Sequence, residues 1–250
     1  MFRSSPSGIA NAQLCMARAI AQRVWGYYEP ENDAMREGTR LHRVVQRYLH
    51  TGKVPDADDK AAHAAIKVLP VGPGSVSAAD IERVVLLDKH HGYIDWLRGS
   101  KHGDLKFTKN VRYQRAKDPT TDPQRIIYAV DAFANDPSLV TLKQFWTVSQ
   151  FDGKQALTLE HKWTKDSALK AYETIVKPVH EQLAAATQKS LHWQDAPKNL
   201  SACDMYPPNG CIMKQHGCRR SLKARLLAIR PKQKGQKQNE QRTGDARTTG

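Results

Sequence analysis

Between residues 34 and 49 the apolar positions fall on one helical face. Leu41, Val44, Val45, Tyr48 and Leu49 keep the i, i+3, i+4, i+7, i+8 spacing of a buried stripe. The pattern predicts a helix from about Ala34 to Leu49, ended by Gly52, with His42 on the edge of the stripe. An earlier helix is expected from Gly8 to Tyr28 with Ser7 as its cap, and PENDA (30–34) separates the two. VLPVGPGSVS, residues 68–77, reads as loop.

The period then changes to two. IERVVLLD (81–88), GYIDWL (92–97) and GDLKFT (103–108) predict three strands in a meander. A polar loop at 118–123 leads into a helix over QRIIYAVDAFAN, 124–135. VTLKQFWTVSQ and ALTLEHKWT predict two more strands, joined by a turn at Asp152–Gly153. A long helix is expected over 166–189, with Leu169, Tyr172, Ile175, Val176, Val179 and Leu183 on one side and a kink or break at Pro178. The order predicts an α/β fold, a central mixed sheet flanked by helices. Residues 1–225 read as one domain and 226–250 as a basic, disordered tail.

Composition changes this picture little: 40% hydrophobic and 26% charged residues suit an ordinary soluble domain. Charge changes it more. The net charge is +14, and +8 of it follows Cys218, where ten Lys and Arg stand against Glu240 and Asp245. Such a balance favours a polyanionic partner, nucleic acid first. No apolar run is long enough to span a membrane and no secretory segment is read at the start, so a cytoplasmic protein is expected.

The candidate chemistry sits in the meander. GYIDWL and GDLKFT each place one carboxylate, Asp95 and Asp104, among apolar residues, and Lys106 shares a strand face with Asp104. Two carboxylates on adjacent strands repel unless a cation joins them or one is protonated. Oxygen ligands suit Mg²⁺ or Mn²⁺, which can polarise a phosphate oxygen and lower the pKa of a bound water. A lysine beside them can position that water or meet charge developing on the phosphate. His42 offers an imidazole to such an ion. Gln124 and Tyr128 lie four apart, on one helical face, and can hydrogen-bond or stack on a strand. A plainer reading makes Asp95 and Asp104 solvated residues flanking a turn and Lys106 a cross-strand partner.

These residues occur in a telling order. His42 within GTRLHRVVQRYLHTG, Asp95 within GYID, Asp104-Leu105-Lys106 and Gln124-Arg-Ile-Ile-Tyr128 resemble the motifs of RecB-like nucleases of the PD-(D/E)XK superfamily, over roughly residues 38–165. The resemblance implies a restriction-endonuclease-like core. It implies metal binding by His42, Asp95, Asp104 and the carbonyl of Leu105, catalysis by Lys106 with the two aspartates, and DNA contact by Gln124 and Tyr128. It also implies 5′-phosphate and 3′-hydroxyl products. Many relatives carry a glutamate four residues after the histidine; here that residue is Gln46, which weakens any claim to a second metal ion.

The four cysteines are Cys15, Cys203, Cys211 and Cys218, the last three spaced C-x7-C-x6-C. Four thiolates can hold zinc or a 4Fe–4S cluster, and a disulfide framework is not expected. One early cysteine with three late ones, and the segment PSGIANAQLCMARAIAQRVWGY, resemble the iron-staple nucleases of the AddB type and the CRISPR-associated exonucleases. That resemblance implies a 4Fe–4S cluster joining the two ends of the domain. The longer C-terminal spacings keep Zn²⁺, or no metal, open.

Other residues read more plainly. His90, His91 and His102 read as loop positions near the site, Glu82 as a solvated strand residue or a cleft carboxylate, and Glu160 and His161 as residues of an exposed strand. Trp96, Trp146 and Trp163 read as core. No Gly-rich phosphate loop is present, so no motor is indicated. The sequence thus predicts a metal-dependent DNA exonuclease acting on single- or double-stranded ends in processing, recombination or repair. It fits a phage or cellular gene, with a recombination or replication protein as partner. The other class of reading is a non-catalytic DNA-binding protein with structural zinc.

Overall fold

The computed structural model describes residues 2–199 except 29, 86 and 116, together with Met213. Residues 2–199 belong to one compact unit, Met1–Ile212. Cys203, Cys211, Cys218 and the basic tail lie outside the described residues.

A five-stranded sheet runs β1 (Ile81–Val84), β2 (Tyr93–Arg98), β3 (Lys101–Thr108), β4 (Thr141–Gln150), β5 (Ala156–Thr164), in that spatial order. Only β3 and β4 are parallel; the other neighbours are antiparallel. A parallel pair needs a crossover. Here it contains α5 (Val111–Arg115) and α6 (Pro123–Asn135). Asp122 caps α6 by accepting from the Gln124 and Arg125 N–H groups.

The sheet is covered on both faces. On one lie α3 (Asp33–Thr51) and α4 (Lys60–Val68), with Leu41, Val45, Leu49, Trp96, Leu105 and Phe145 in the core. On the other, α6 packs with α1 (Pro6–Leu14) and α7 (Lys165–Ala171), and α8 (Lys177–Gln188) packs with α1. Ile9, Ile94, Ile127, Phe133, Leu142 and Trp163 fill that layer. All three strand tryptophans are buried, as expected. Among the described residues no helix is long and apolar enough to cross a membrane.

The α3 stripe is buried as its spacing required, and Gly52 ends the helix with φ of 78°, a left-handed conformation that favours glycine. The first expected helix is instead two. Ser5, not Ser7, caps α1. The chain turns extended at Cys15 (φ −158°, ψ 105°) before α2 (Met16–Trp25). The break is held by a tertiary bond: the Ala17 N–H donates to the Pro197 carbonyl at 3.0 Å. The expected helix over 166–189 is interrupted next to Pro178. Residues Tyr172–Val176 form a π-helical turn, in which the Lys177 N–H reaches the Tyr172 carbonyl five residues back. Pro178 has no N–H to offer the preceding turn, so the ladder shifts there. The strand expected over 81–88 stops at Val84.

Strand β2 turns over at Asp95. Ile94 and Trp96 should share a face, yet Ile94 packs with α6 and Trp96 under α3. On β1, Glu82 falls between the Ile81↔Trp96 and Arg83↔Ile94 pairs, and its φ of 51° is left-handed. The ladder from β2 to β3 runs from Arg98↔Lys101 to Trp96↔Gly103. The local departure from a regular strand frees Asp95 to turn its carboxylate to β3.

Candidate active site

Asp104 and Lys106 point to the α6 face of β3, and Leu105 between them points to the α3 core. Lys106 Nζ lies 2.8 Å from Asp104 Oδ2. Asp95 Oδ2 accepts the Leu105 N–H at 2.6 Å, and Asp95 Oδ1 lies 3.3 Å from His42 Nδ1 on α3. The Phe107 ring meets the His42 ring edge-on at 5.5 Å. From the other side Gln124 Nε2 donates to Asp104 Oδ1 at 2.9 Å and to the Tyr128 hydroxyl at 2.9 Å. Tyr128 in turn donates to the Tyr93 carbonyl at 2.6 Å. Every residue expected at the site from His42 to Tyr128 therefore joins one connected network across α3, β2, β3 and α6.

The electrostatics follow from two carboxylates in a half-dry place. Burial pushes the Asp104 carboxyl up to about 6; the Lys106 ammonium opposes and the Asp95 charge adds to the rise. Burial acts against charge on Lys106, but Asp104 and Asp95 outweigh it and hold the ammonium above its ordinary value. His42 behaves alike: burial opposes its charge, and the hydrogen bond and charge of Asp95 raise it. The cations present, Lys106 and a readily protonated His42, are thus matched to the two anions.

Among the described residues no three His, Cys, Asp or Glu side chains close into a ready-made metal cage. The donor set nevertheless suits a hard divalent ion: two carboxylates and an imidazole meet around the Leu105 backbone, and their negative charge is balanced by groups that can move or lose a proton. The site opens to a cleft of about 1090 Å³ walled by His42, Arg43, Glu82, Lys106, Thr108 and Lys109.

Two residues here carry more than the sequence showed. Glu82 lines the cleft, and its carboxylate accepts from the buried Gln46 amide at 3.3 Å. Gln46 on α3 is thus hydrogen-bonded to a carboxylate supplied by β1. Arg125 is buried beside the site, over the Trp146 ring. Nothing in a strand or helix period distinguishes either one. His90 joins Ser4, His180 and Tyr172 in a buried network, and His102 is buried edge-on to Tyr128. Glu160 pairs with Lys143 at 3.3 Å, and His161 meets Trp163 edge-on at 4.5 Å.

Cys15 is buried at the junction of α1 and α2. It stands at the N-cap of α2.

No protein-family model and no curated protein matches the sequence. Among solved structures, an alkaline exonuclease from Laribacter hongkongensis is similar to this chain with a TM-score of 0.40 and 18% identity, over 75% of this chain and 91% of that one. The same exonuclease in complex with dAMP is similar with a TM-score of 0.38 and 17% identity, again over 75% of this chain and 91% of that one.

Proposed function

We propose that the protein is a Mg²⁺- or Mn²⁺-dependent deoxyribonuclease with a PD-(D/E)XK core, acting as an exonuclease on DNA ends. The observation that carries the reading is the Asp104–Lys106 ion pair at 2.8 Å, on a strand whose intervening Leu105 N–H is gripped by Asp95. A mere surface ion pair would not be buried against a second carboxylate and an imidazole at the mouth of a large cleft.

His42, Asp95, Asp104 and the Leu105 carbonyl would hold the ion. When bound, such an ion polarises a phosphate oxygen and lowers the pKa of a bound water. Lys106 stays charged at the cleft wall, where it orients the water and meets the negative charge that develops on the phosphate. The Leu105 N–H fixes Asp95, and Gln124 fixes Asp104, so neither carboxylate swings away. Gln124 guides the strand from α6, backed by the buried Tyr128, and the net charge of +14 favours a polyanion.

We assign Cys15, Cys203, Cys211 and Cys218 to a structural 4Fe–4S cluster, with Zn²⁺ as the other occupant. The bond from Ala17 to Pro197 supports this, because it brings the chain beside Cys15 six residues before Cys203. Iron and zinc analysis with a visible spectrum of anaerobically purified protein decides between them.

The enzymatic reading is tested on end-labelled linear DNA, single- and double-stranded, with Mg²⁺ or Mn²⁺. Metal-dependent loss of label is expected for the parent and not for Lys106→Ala. Intact label with a folded, metal-loaded parent would overturn the reading.

A further inference from the structure

Arg125 is 1% exposed, and among the described residues its Nε and Nη2 have no hydrogen-bond partner. Its guanidinium carbon sits 4.3 Å from the centre of the Trp146 ring, and Lys106 Nζ lies 5.2 Å from the same ring. Two cations therefore flank one indole at the edge of the candidate active site.

The carboxylates that act on Arg125 are all engaged elsewhere. Asp122 caps α6, Asp118 accepts from the Thr120 N–H and hydroxyl, and Asp104 holds Lys106 and Gln124. Burial lowers the pKa of Arg125, and those three charges only partly restore it. Among the described residues, Gln114 Oε1 and Trp146 Nε1 are also buried without partners. A buried cation with idle donors is costly, and an apolar residue of similar size would pack over the indole at less cost. The backbone is well fixed: Gln144 donates to the Arg125 carbonyl at 3.0 Å, and Trp163 donates to Gln144 at 3.0 Å. The unmet donors belong to the side chain alone.

We propose that Arg125 is a phosphate-binding residue whose Nε and Nη2 take an oxyanion of the strand lying against Lys106. The inference rests on the nuclease reading above. A guanidinium offers parallel N–H groups that match two phosphate oxygens, which an ammonium does not. Trp146 holds the planar group by cation–π contact until the phosphate arrives. Lys106 would then serve the reacting phosphate and Arg125 would secure the strand that carries it.

The test is binding of a labelled single-stranded oligonucleotide in EDTA over a range of salt, for the parent, Arg125→Met and Arg125→Lys. Arg125→Met is expected to bind about tenfold more weakly at low salt, with a slope of log affinity against log salt shallower by about 0.7, one phosphate contact. Arg125→Lys should recover the slope and only part of the affinity. Arg125→Met should also melt no lower than the parent, because it removes the orphaned donors. A lower melting temperature with an unchanged slope would make Arg125 a packing residue and overturn the proposal. Stabilisation by inorganic phosphate that Arg125→Met abolishes, without any change in the DNA slope, would assign the site to free phosphate and overturn it too. Metal-dependent cleavage by the parent separates the two readings. If the parent cleaves and the slopes agree, this inference fails alone; if it neither cleaves nor binds DNA, both fail.

Discussion

The Gln124 side-chain amide bridges two groups, donating to Asp104 Oδ1 and to the Tyr128 hydroxyl at 2.9 Å each. Tyr128 spends its own proton on the Tyr93 carbonyl of β2, so the helix ties both strands of the site together. Gln124 therefore acts on the carboxylate before any strand arrives. A hydrogen bond to a charged group contributes about 1.5–3 kcal/mol. We expect Gln124→Ala to need roughly 10–100 times more Mn²⁺ for half-maximal cleavage, with the rate largely regained at high metal. A Mn²⁺ titration checks this, and an unchanged metal requirement would confine Gln124 to DNA contact.

Gly103 is where β3 passes under Trp96. A Cβ there would lie 2.1–2.3 Å from the indole atoms, which is a hard overlap. Trp96 is fully buried under α3 and adjoins Asp95, so it cannot yield without moving the site. Overpacking of this kind costs about 1–3 kcal/mol or more. Gly103→Ala should lower stability by at least that much in urea melts and reduce cleavage in whatever remains folded. A variant as stable as the parent would mean that Trp96 has another rotamer to use.

What the sequence made legible follows from period and from end signals. The α3 stripe, the strands around Asp95 and Asp104, and the Gln124–Tyr128 face all rest on spacing, and the chain folds so that each spacing is used. Pro178 marked the irregular turn because it lacks an N–H. Helix α4 escaped because its buried residues are Ala61, Ala62 and Ala65, too small to stand out as an apolar face. Helix α5 is only five residues long. The break at Cys15 depends on a partner near residue 197, distant in sequence. The reversal at Asp95 breaks the period of two, so an alternation argument passes over it. Burial of Arg125 and His102 is likewise a tertiary outcome of what lies across the sheet, which no spacing along the chain encodes.

Glu82 stands opposite that reversal with φ of 51°. An L-residue in this region is strained by about 1–2 kcal/mol, while asparagine tolerates it better. Glu82→Asn should raise the melting temperature by roughly 1–4 °C, the shift of up to about 1 kcal/mol in a chain of this size. A drop would mean that the 3.3 Å bond from Gln46 is worth more than the strain.

The buried network around Ser4 sets an acid limit on stability. Ser4 Oγ lies 3.0 Å from His90 Nδ1 and 2.9 Å from His180 Nδ1, and His90 Nε2 lies 2.9 Å from the Tyr172 hydroxyl. One hydroxyl proton can serve one imidazole while the other imidazole donates, so the network suits neutral rings. Burial pushes His90 down to about 4, with the neighbouring charges of His180 and Lys89 acting the same way. Burial also lowers His180, helped by Lys89 and opposed by Glu181. Unfolded, each histidine returns to about 6.5. Between that value and about 4 the unfolded chain therefore binds more protons at His90, and stability falls as pH falls. The loss is about 1.4 kcal/mol per pH unit for one proton. His90→Leu should be less stable than the parent at pH 7, by roughly 1–3 kcal/mol for the orphaned partners. It should also escape the acid penalty at this position, so the gap should narrow by about 2 kcal/mol at pH 4.5. Urea melts of both proteins from pH 4.5 to 7 give the gap directly. A gap that stays constant across that range would show that His90 is no more reluctant to take a proton folded than unfolded.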